Sequence, residues 1–408
     1  MLFGKTAAAI ALAYDVRVRF DRSTPKWVVA DNAHQTAATI RELFGDASYW
    51  PTPWLGGVLS GHLQTIWYGL NPRFNLPAYA HTDEQWVASD GGTIGLAWPE
   101  APDKALLATA PIVLILPGLC GSIKGVGHVL HECFAAGLRP VCWHARGCGQ
   151  PLTSPRFNIF GSTDDLRTAI ARIQAKWPDA LICLYSISAG TALMVRYLGE
   201  EGSDAPIAAA VANAPGYDIG VCLSRVSYLY DSGFYIGVLK KHWLEGPNGD
   251  VLRRARPEVC ELMANAPDMH SFMVAASPFA LWEARGNEGS GSGSVGVGSE
   301  TGGAGAGAAV ANAFAAFLAK TNPMGVAERI RVPGLIINAD DDPVCAARNT
   351  EESGESLLAT GATGRSGCPT IVLLRYPRGG HCCFAEGWTA RRFGDRLAAG
   401  VLAALARK

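Results

Sequence analysis

Three residues of this chain stand where acyl-transfer chemistry needs them. The run LICLYSISAGTALMVRYL holds Ser188 between a strand-like stretch and a helix-like one. A serine on so sharp a strand-to-helix turn is presented at the strand end, as a nucleophile must be. It also lies at a helix N-terminus, where the dipole favours developing negative charge. Small residues two positions to either side let strand and helix approach closely; here they are Ser186 and Gly190. Glycine is the usual occupant of both positions, so Ser186 is a departure. By itself S-x-S-x-G is weak, because an ordinary turn of small residues reads the same way.

Two later loops supply the missing chemistry. LIINADDDPVC ends an apolar run in Asp340, Asp341 and Asp342, three like charges that destabilise one another unless one meets a partner. Pro343 biases Asp342 toward extended backbone, which favours it as the acid that orients a base; Asp341 is then expected to be solvated or to cap a helix. LLRYPRGGHCCF places His381 after Gly379 and Gly380, on a loop where an imidazole can act as general base. Upstream, ILPGLCGS follows the strand-like IVLIL, and the N–H groups of Leu119 and Ala189 are the expected oxyanion hole. Each loop alone could be a plain solvated turn. Their conjunction, with Ser188, Asp342 and His381 each past a strand, points to a nucleophile–base–acid relay. Two competitors are weaker. His128, His131 and Cys133 share VGHVLHEC but lack a fourth ligand, so no metal and no cofactor is expected. Adjacent Cys382 and Cys383 rarely satisfy disulfide geometry.

A scaffold must bring these loops to one edge, and the alternation of short β-branched runs with longer helical patterns supplies one: a mostly parallel sheet flanked by helices, an α/β fold. The expected strands are Gln85–Ala88, Thr93–Trp98, Ile112–Leu116, Pro140–Trp143, Leu181–Tyr185, Ile207–Asn213, Gly334–Asn338 and Thr370–Arg375. The expected helices include Thr163–Ala175, Ala189–Leu198 and Thr389–Ala406. The alternation lapses between Asn213 and Arg331. This suggests a core of 51–215 and 326–408, an N-terminal segment 1–50, and a cap inserted at 216–325 that contains a flexible Gly/Ser/Ala-rich loop at 286–308. With 408 residues, 49% apolar and 17% charged, the chain can bury a large core. A net charge of −1 disfavours a nucleic-acid partner. Eleven scattered cysteines fit reduced thiols in an intracellular, cytoplasmic protein. The N-terminal MLFGKTAAAIALA has the outline of a weak signal peptide but reads better as a surface helix, and it is too short to span a bilayer.

At this point the chain resembles the AB hydrolase 4 family of α/β-hydrolases, which holds bacterial short-chain esterases, plant embryogenesis-associated proteins, and animal phospholipases and acylglycerol lipases. The likeness rests on PTPWLGGVLSGHLQTIW at 51–67, SDGGTIGLAW at 89–98, LPGLCGS at 116–122, ARGCGQPLTSPR at 145–156, STDDLRTAI at 162–170, RYLGEEG at 196–202, NADDDP at 338–343 and GGHCCF at 379–384. It runs from about Pro51 onward, omitting the Gly-rich loop. The resemblance implies an α/β-hydrolase fold with Ser188 as nucleophile, His381 as base and Asp342 as acid. It implies a serine carboxylic-ester hydrolase acting on a short-chain ester, a monoacylglycerol or a phospholipid, compatible with peripheral membrane contact. The family's elbow is Gly-x-Ser-Met-Gly-Gly, where this chain has Ser186, Ala189, Gly190 and Thr191. An acyltransferase using the same relay, or an inactive hydrolase fold kept as a binding protein, are the alternatives. Oligomeric state is left open.

Overall fold

The structure, a computed structural model, describes residues 15–70, 79–101, 106–160, 162–282, 303–358 and 368–407. Nine strands form one sheet in the order β1-β9-β8-β7-β6-β4-β5-β3-β2. They are β1 (Lys26–Val29), β2 (His81–Val87), β3 (Thr93–Pro99), β4 (Ile112–Leu116), β5 (Arg139–His144), β6 (Ile182–Ile187), β7 (Ala209–Asn213), β8 (Gly334–Ala339) and β9 (Ile371–Tyr376). From β5 to β9 every pairing is parallel, while β2 and β3 join one edge, and β1 the other, antiparallel. The central strands are buried along their length, IVLIL of β4 at all five positions, as helix-covered parallel strands must be. Parallel strands end at one edge. The loops after β4, β6, β8 and β9, carrying Leu119, Ser188, Asp342 and His381, therefore share that edge although up to 262 residues of sequence separate them.

Two elements lie outside the expected pattern. β1 falls in the segment set apart as N-terminal, yet it pairs with β9 from Lys26↔Arg375 to Val29↔Val372 and so extends the sheet. The helix His34–Phe44 then packs on the C-terminal helix Phe393–Leu405, where a Cβ on Gly400 would lie 2.8 Å from the Phe44 ring. That C-terminal helix starts four residues later than expected, because Arg391–Arg392 pair with Ala385–Glu386 in a small hairpin. A second clasp joins three of the segments quoted above. Arg146, just after β5 and almost fully buried, donates from Nε and Nη2 to both oxygens of Asp165 (2.7 and 2.9 Å) and from Nη1 to both of Asp90 (2.7 and 2.6 Å). Gly92 is glycine for steric reasons, since a Cβ there would sit 2.0 Å from Arg146 Nη1.

Between β7 and β8 the chain leaves the sheet through helices Ile219–Arg225, Ile236–Leu244, Gly246–Ala255, Pro257–Asn265, Met269–Ala280 and Gly303–Thr321. The last of these overturns part of the expected flexible loop. Residues 303–308 are helical, continuous with the alanine-rich run that follows, and alanine is the best helix former. Residues 286–302 of that loop lie outside the described residues, as does the N-terminal stretch 1–14. Among the described residues no helix is long and apolar enough to cross a membrane.

Candidate active site

The end of β6 turns abruptly into the helix Gly190–Glu201, and Ser188 occupies the turn with φ 51°, in the left-handed region that non-glycine residues avoid. Gly190 permits the tight turn: a Cβ there would lie 2.4 Å from the Leu116 carbonyl oxygen and 2.5 Å from that of Pro117. Ser186 fits where glycine is usual because it is wholly buried in the sheet and its hydroxyl donates to the Val211 carbonyl at 3.4 Å.

Strand spacing puts the ends of β6 and β9 about 14 Å apart, so the histidine loop must lean back across β8 and β7. It does, and the three side chains form one hydrogen-bonded chain. His381 Nε2 lies 2.7 Å from Ser188 Oγ, and Nδ1 lies 2.8 Å from Asp342 Oδ2. Asp342 is buried, and its other oxygen accepts from the backbone N–H groups of Val344 (2.7 Å) and Cys345 (2.9 Å), which fixes the carboxylate plane. Burial pulls the His381 imidazole down, but the adjacent Asp342 carboxylate outweighs it and holds the ring well above its ordinary value.

The three consecutive aspartates have three different partners. Asp340 pairs with Arg375, and Asp342 meets the imidazole. Asp341 is not solvated and caps no helix: its Oδ1 accepts from the N–H groups of Gly379 and Gly380, both at 2.8 Å. Burial pushes its carboxyl up to about 6 against the pull of those two amides. Asp341 thus ties the aspartate loop to the histidine loop.

A second tie comes from the helix Ser60–Leu70, which carries the Gly-His-Leu-Gln-Thr run. Thr65 Oγ1 accepts from the His381 N–H at 2.9 Å, and Gln64 Oε1 from the Ala385 N–H at 2.9 Å. Gly61 packs on the backbone of Asp341, where a Cβ would lie 1.8 Å from the carbonyl oxygen. His62, on another side of the helix, stacks on Tyr230 of the insertion with ring centroids 5.6 Å apart. Sequence reasoning assigned none of these residues a role, although the run's specificity was the available signal.

Leu119 and Ala189 both border the space over Ser188. Among the described residues neither of their N–H groups donates to a protein acceptor. A Cβ on Gly118 would lie 3.3 Å from the Ser188 Cβ, so the loop approaches the serine closely. A pocket of about 70 Å3, partly open to solvent, extends from the serine between core and insertion, walled by Phe160, Ile219, Leu223, Val226, Tyr235 and Met269 among others. Among the described residues no charged side chain lines it. His128, His131 and Cys133 do not converge: they share the helix Gly127–Ala135, with Cys133 buried and His131 exposed beside Tyr79. The metal-capable trio among the described residues is Asp342, Cys345 and His381, which overlaps the relay. All eleven cysteines are free thiols.

Residues 108–279 match a family profile described as Serine aminopeptidase, S33. Human Phospholipase ABHD3 is 31% identical over 182 residues, 43% of this chain and 43% of its own length. The spruce (Picea glauca) embryogenesis-associated protein EMB8 is 32% identical over 132 residues, 30% of this chain and 29% of its own. The fold is that of the α/β-hydrolases. The sequence is similar to the branch that holds ABHD3 and EMB8. A yeast (Saccharomyces cerevisiae) medium-chain fatty acid ethyl ester synthase/esterase 2 is 29% identical over 68% of this chain and 58% of its own length. The chain thus spans under half of the animal phospholipase it resembles. Among solved structures, the Pyrococcus furiosus esterase Pf2001 superposes with a TM-score of 0.41 at 13% identity, over 73% of this chain and 82% of that one.

Proposed function

We propose that this hydrolase cleaves carboxylic esters bearing an apolar acyl chain, through an acyl-enzyme on Ser188. The observation that carries the reading is the unbroken Asp342–His381–Ser188 chain, at 2.8 and 2.7 Å, opening on a pocket without a charged wall. His381 Nε2 takes the Ser188 proton as Oγ attacks the ester carbonyl, and Asp342 holds the ring and stabilises the imidazolium. The N–H groups of Leu119 and Ala189 receive the oxyanion. His381 then protonates the leaving alcohol, and a water activated by the same ring releases the acid. The residues 216–325 act as the cap that shapes the acyl side.

The matched family description names an aminopeptidase. A site for a peptide's free amino terminus needs an anion beside the scissile bond, and the described residues of this pocket lining offer none. The names of the relatives, a phospholipase and a fatty acid ethyl ester synthase/esterase, support an acyl ester in its place. The latter also supports a second reading, acyl transfer to an alcohol, which added ethanol would reveal as ethyl ester product.

A fluorophosphonate probe should label Ser188 and leave Ser186, sealed in β6, untouched. Ser188→Ala should lose both the label and the hydrolysis of aryl and acylglycerol esters. Labelling that survives Ser188→Ala overturns the proposal.

A further inference from the structure

Behind the acyl pocket, under the helix Gly190–Glu201, lies a second, smaller apolar cavity of about 40 Å3, partly open to solvent. Met194, Leu198, Ala212, Met324, Leu335 and Ile371 are among the residues around it, and the relay touches none of it. The two cavities share three wall residues, Thr191, Ala192 and Tyr217. Thr191 and Ala192 are small and belong to the elbow helix, so Tyr217 is the bulky part of the partition.

Tyr217 is held at three points. Its backbone is left-handed, with φ 64°, a conformation that a bulky residue keeps only where its surroundings over-determine it. Its hydroxyl donates to Asn338 Oδ1 at 2.7 Å, and Asn338 Nδ2 in turn reaches the Pro215 carbonyl at 3.3 Å. Its ring lies so close to Gly354 that a Cβ there would fall 2.5 Å from Tyr217 Cζ and Oη. A side chain pinned at backbone, ring and hydroxyl is a fixed wall.

We propose that Tyr217 sets the length of acyl chain this site accepts, by closing off a small rear cavity with room for the end of a linear alkyl tail. The inference rests on the ester reading given above and adds to it a limit and the residue that imposes it. Each methylene that finds apolar space should raise kcat/KM about fourfold. The gain must stop where the tail meets the Tyr217 ring, and chains longer than that are disfavoured. With the ring removed the two cavities join and the tail can run on beneath the elbow helix.

The test is a ladder of straight-chain p-nitrophenyl esters from acetate to palmitate, read as kcat/KM against chain length. Tyr217→Ala should move the break to longer chains, with a gain of about tenfold or more relative to the shorter esters on the first chains past the wild-type limit. Tyr217→Leu, which keeps more of the wall packing, should move it less but in the same direction. Adding Met324→Trp, which fills the rear cavity at a distance from Ser188, should return the break of Tyr217→Ala toward the wild-type position. The same ladder is also read as inactivation rates by alkyl fluorophosphonates, which need no ester turnover. A moving break in inactivation with no ester hydrolysis by the wild type would reject the ester reading and keep the partition. An unmoved break in both Tyr217 variants, each still labelled by the shortest probe, overturns the partition, as does a Met324→Trp double variant that retains the long-chain gain.

Discussion

Asp342→Asn is the sharpest probe of the relay, because the structure dictates how the new amide must sit. Asp342 Oδ1 accepts from two backbone donors, the N–H groups of Val344 and Cys345. An asparagine must put its oxygen there, which leaves its NH2 where Oδ2 now faces His381 Nδ1 at 2.8 Å. That NH2 can only donate, so Nδ1 must become an acceptor and the ring proton moves to Nε2. Nε2 faces Ser188 Oγ at 2.7 Å and, once protonated, cannot take the serine's proton. The expected loss in kcat is about 10⁴, the cost of the wrong tautomer, or about 5.5 kcal/mol at 1.36 kcal/mol per decade. KM should change little, since the pocket walls are untouched. Asp341→Asn is the paired control. Its oxygen can still accept from Gly379 and Gly380, so only charge is lost, and the loss in kcat should stay below about tenfold. The assay is steady-state hydrolysis of an activated aryl ester beside the rate of fluorophosphonate labelling, with thermal melting to show that both variants fold. An Asp342→Asn enzyme within tenfold of wild type, or an Asp341→Asn enzyme that falls as far, would refute the assignment of the acid.

Three further outcomes follow from contacts described above. Arg146→Met should cost about 3–5 kcal/mol in urea denaturation, because Asp165 is left buried without its counter-charge while Asp90 keeps only Arg156 at 3.6 Å; a change under about 1 kcal/mol would show that water relaxes the site. Gly61→Ala should lower kcat by about 10², since the new methyl must displace the Asp341 carbonyl and with it the histidine loop; an unaltered kcat would mean that the helix is not needed to brace the loop. The raised imidazole should set the acid limb of the kcat/KM–pH profile above the ordinary value of about 6.5. The same pair contributes stability that is complete below about 6.5 and fades as pH rises through the folded value. Melting in Asp342→Asn should therefore fall further below wild type at acid than at alkaline pH, and the opposite order would contradict the shift.

What could be read from the chain without coordinates was whatever is local. A buried parallel strand writes itself as an uninterrupted apolar run, and Ser188, Asp342 and His381 each follow one, so their common edge was legible before any contact was known. β1 was not, because KWVV is four residues long and takes its register from Ile371–Tyr376, more than 340 positions away. Pro343 singled out Asp342, but the roles of Asp340 and Asp341 turned on Arg375 and the Gly379 and Gly380 amides, which no short-range pattern encodes. The helical start at Gly303 was hidden by composition: glycine and serine around it read as a loop, while the alanines that propagate the helix come just after.

The contacts of Thr65 with His381 and of Gln64 with Ala385 join parts of the chain 316 and 321 residues apart. On a ribosome, the elbow around Ser188 and its flanking strands would emerge and could pack long before the base exists. The imidazole arrives late and is locked in place only when it finds a helix made near the beginning. A half-made chain would thus carry a shaped nucleophile without the means to fire it. Hydrolytic competence should appear in one late step, when these two distant parts of the chain meet, and contacts of such long sequence separation are slow to form. In a refolding experiment, return of serine reactivity should therefore lag behind recovery of helical signal, which makes reactivity a sensitive reporter of complete wrapping.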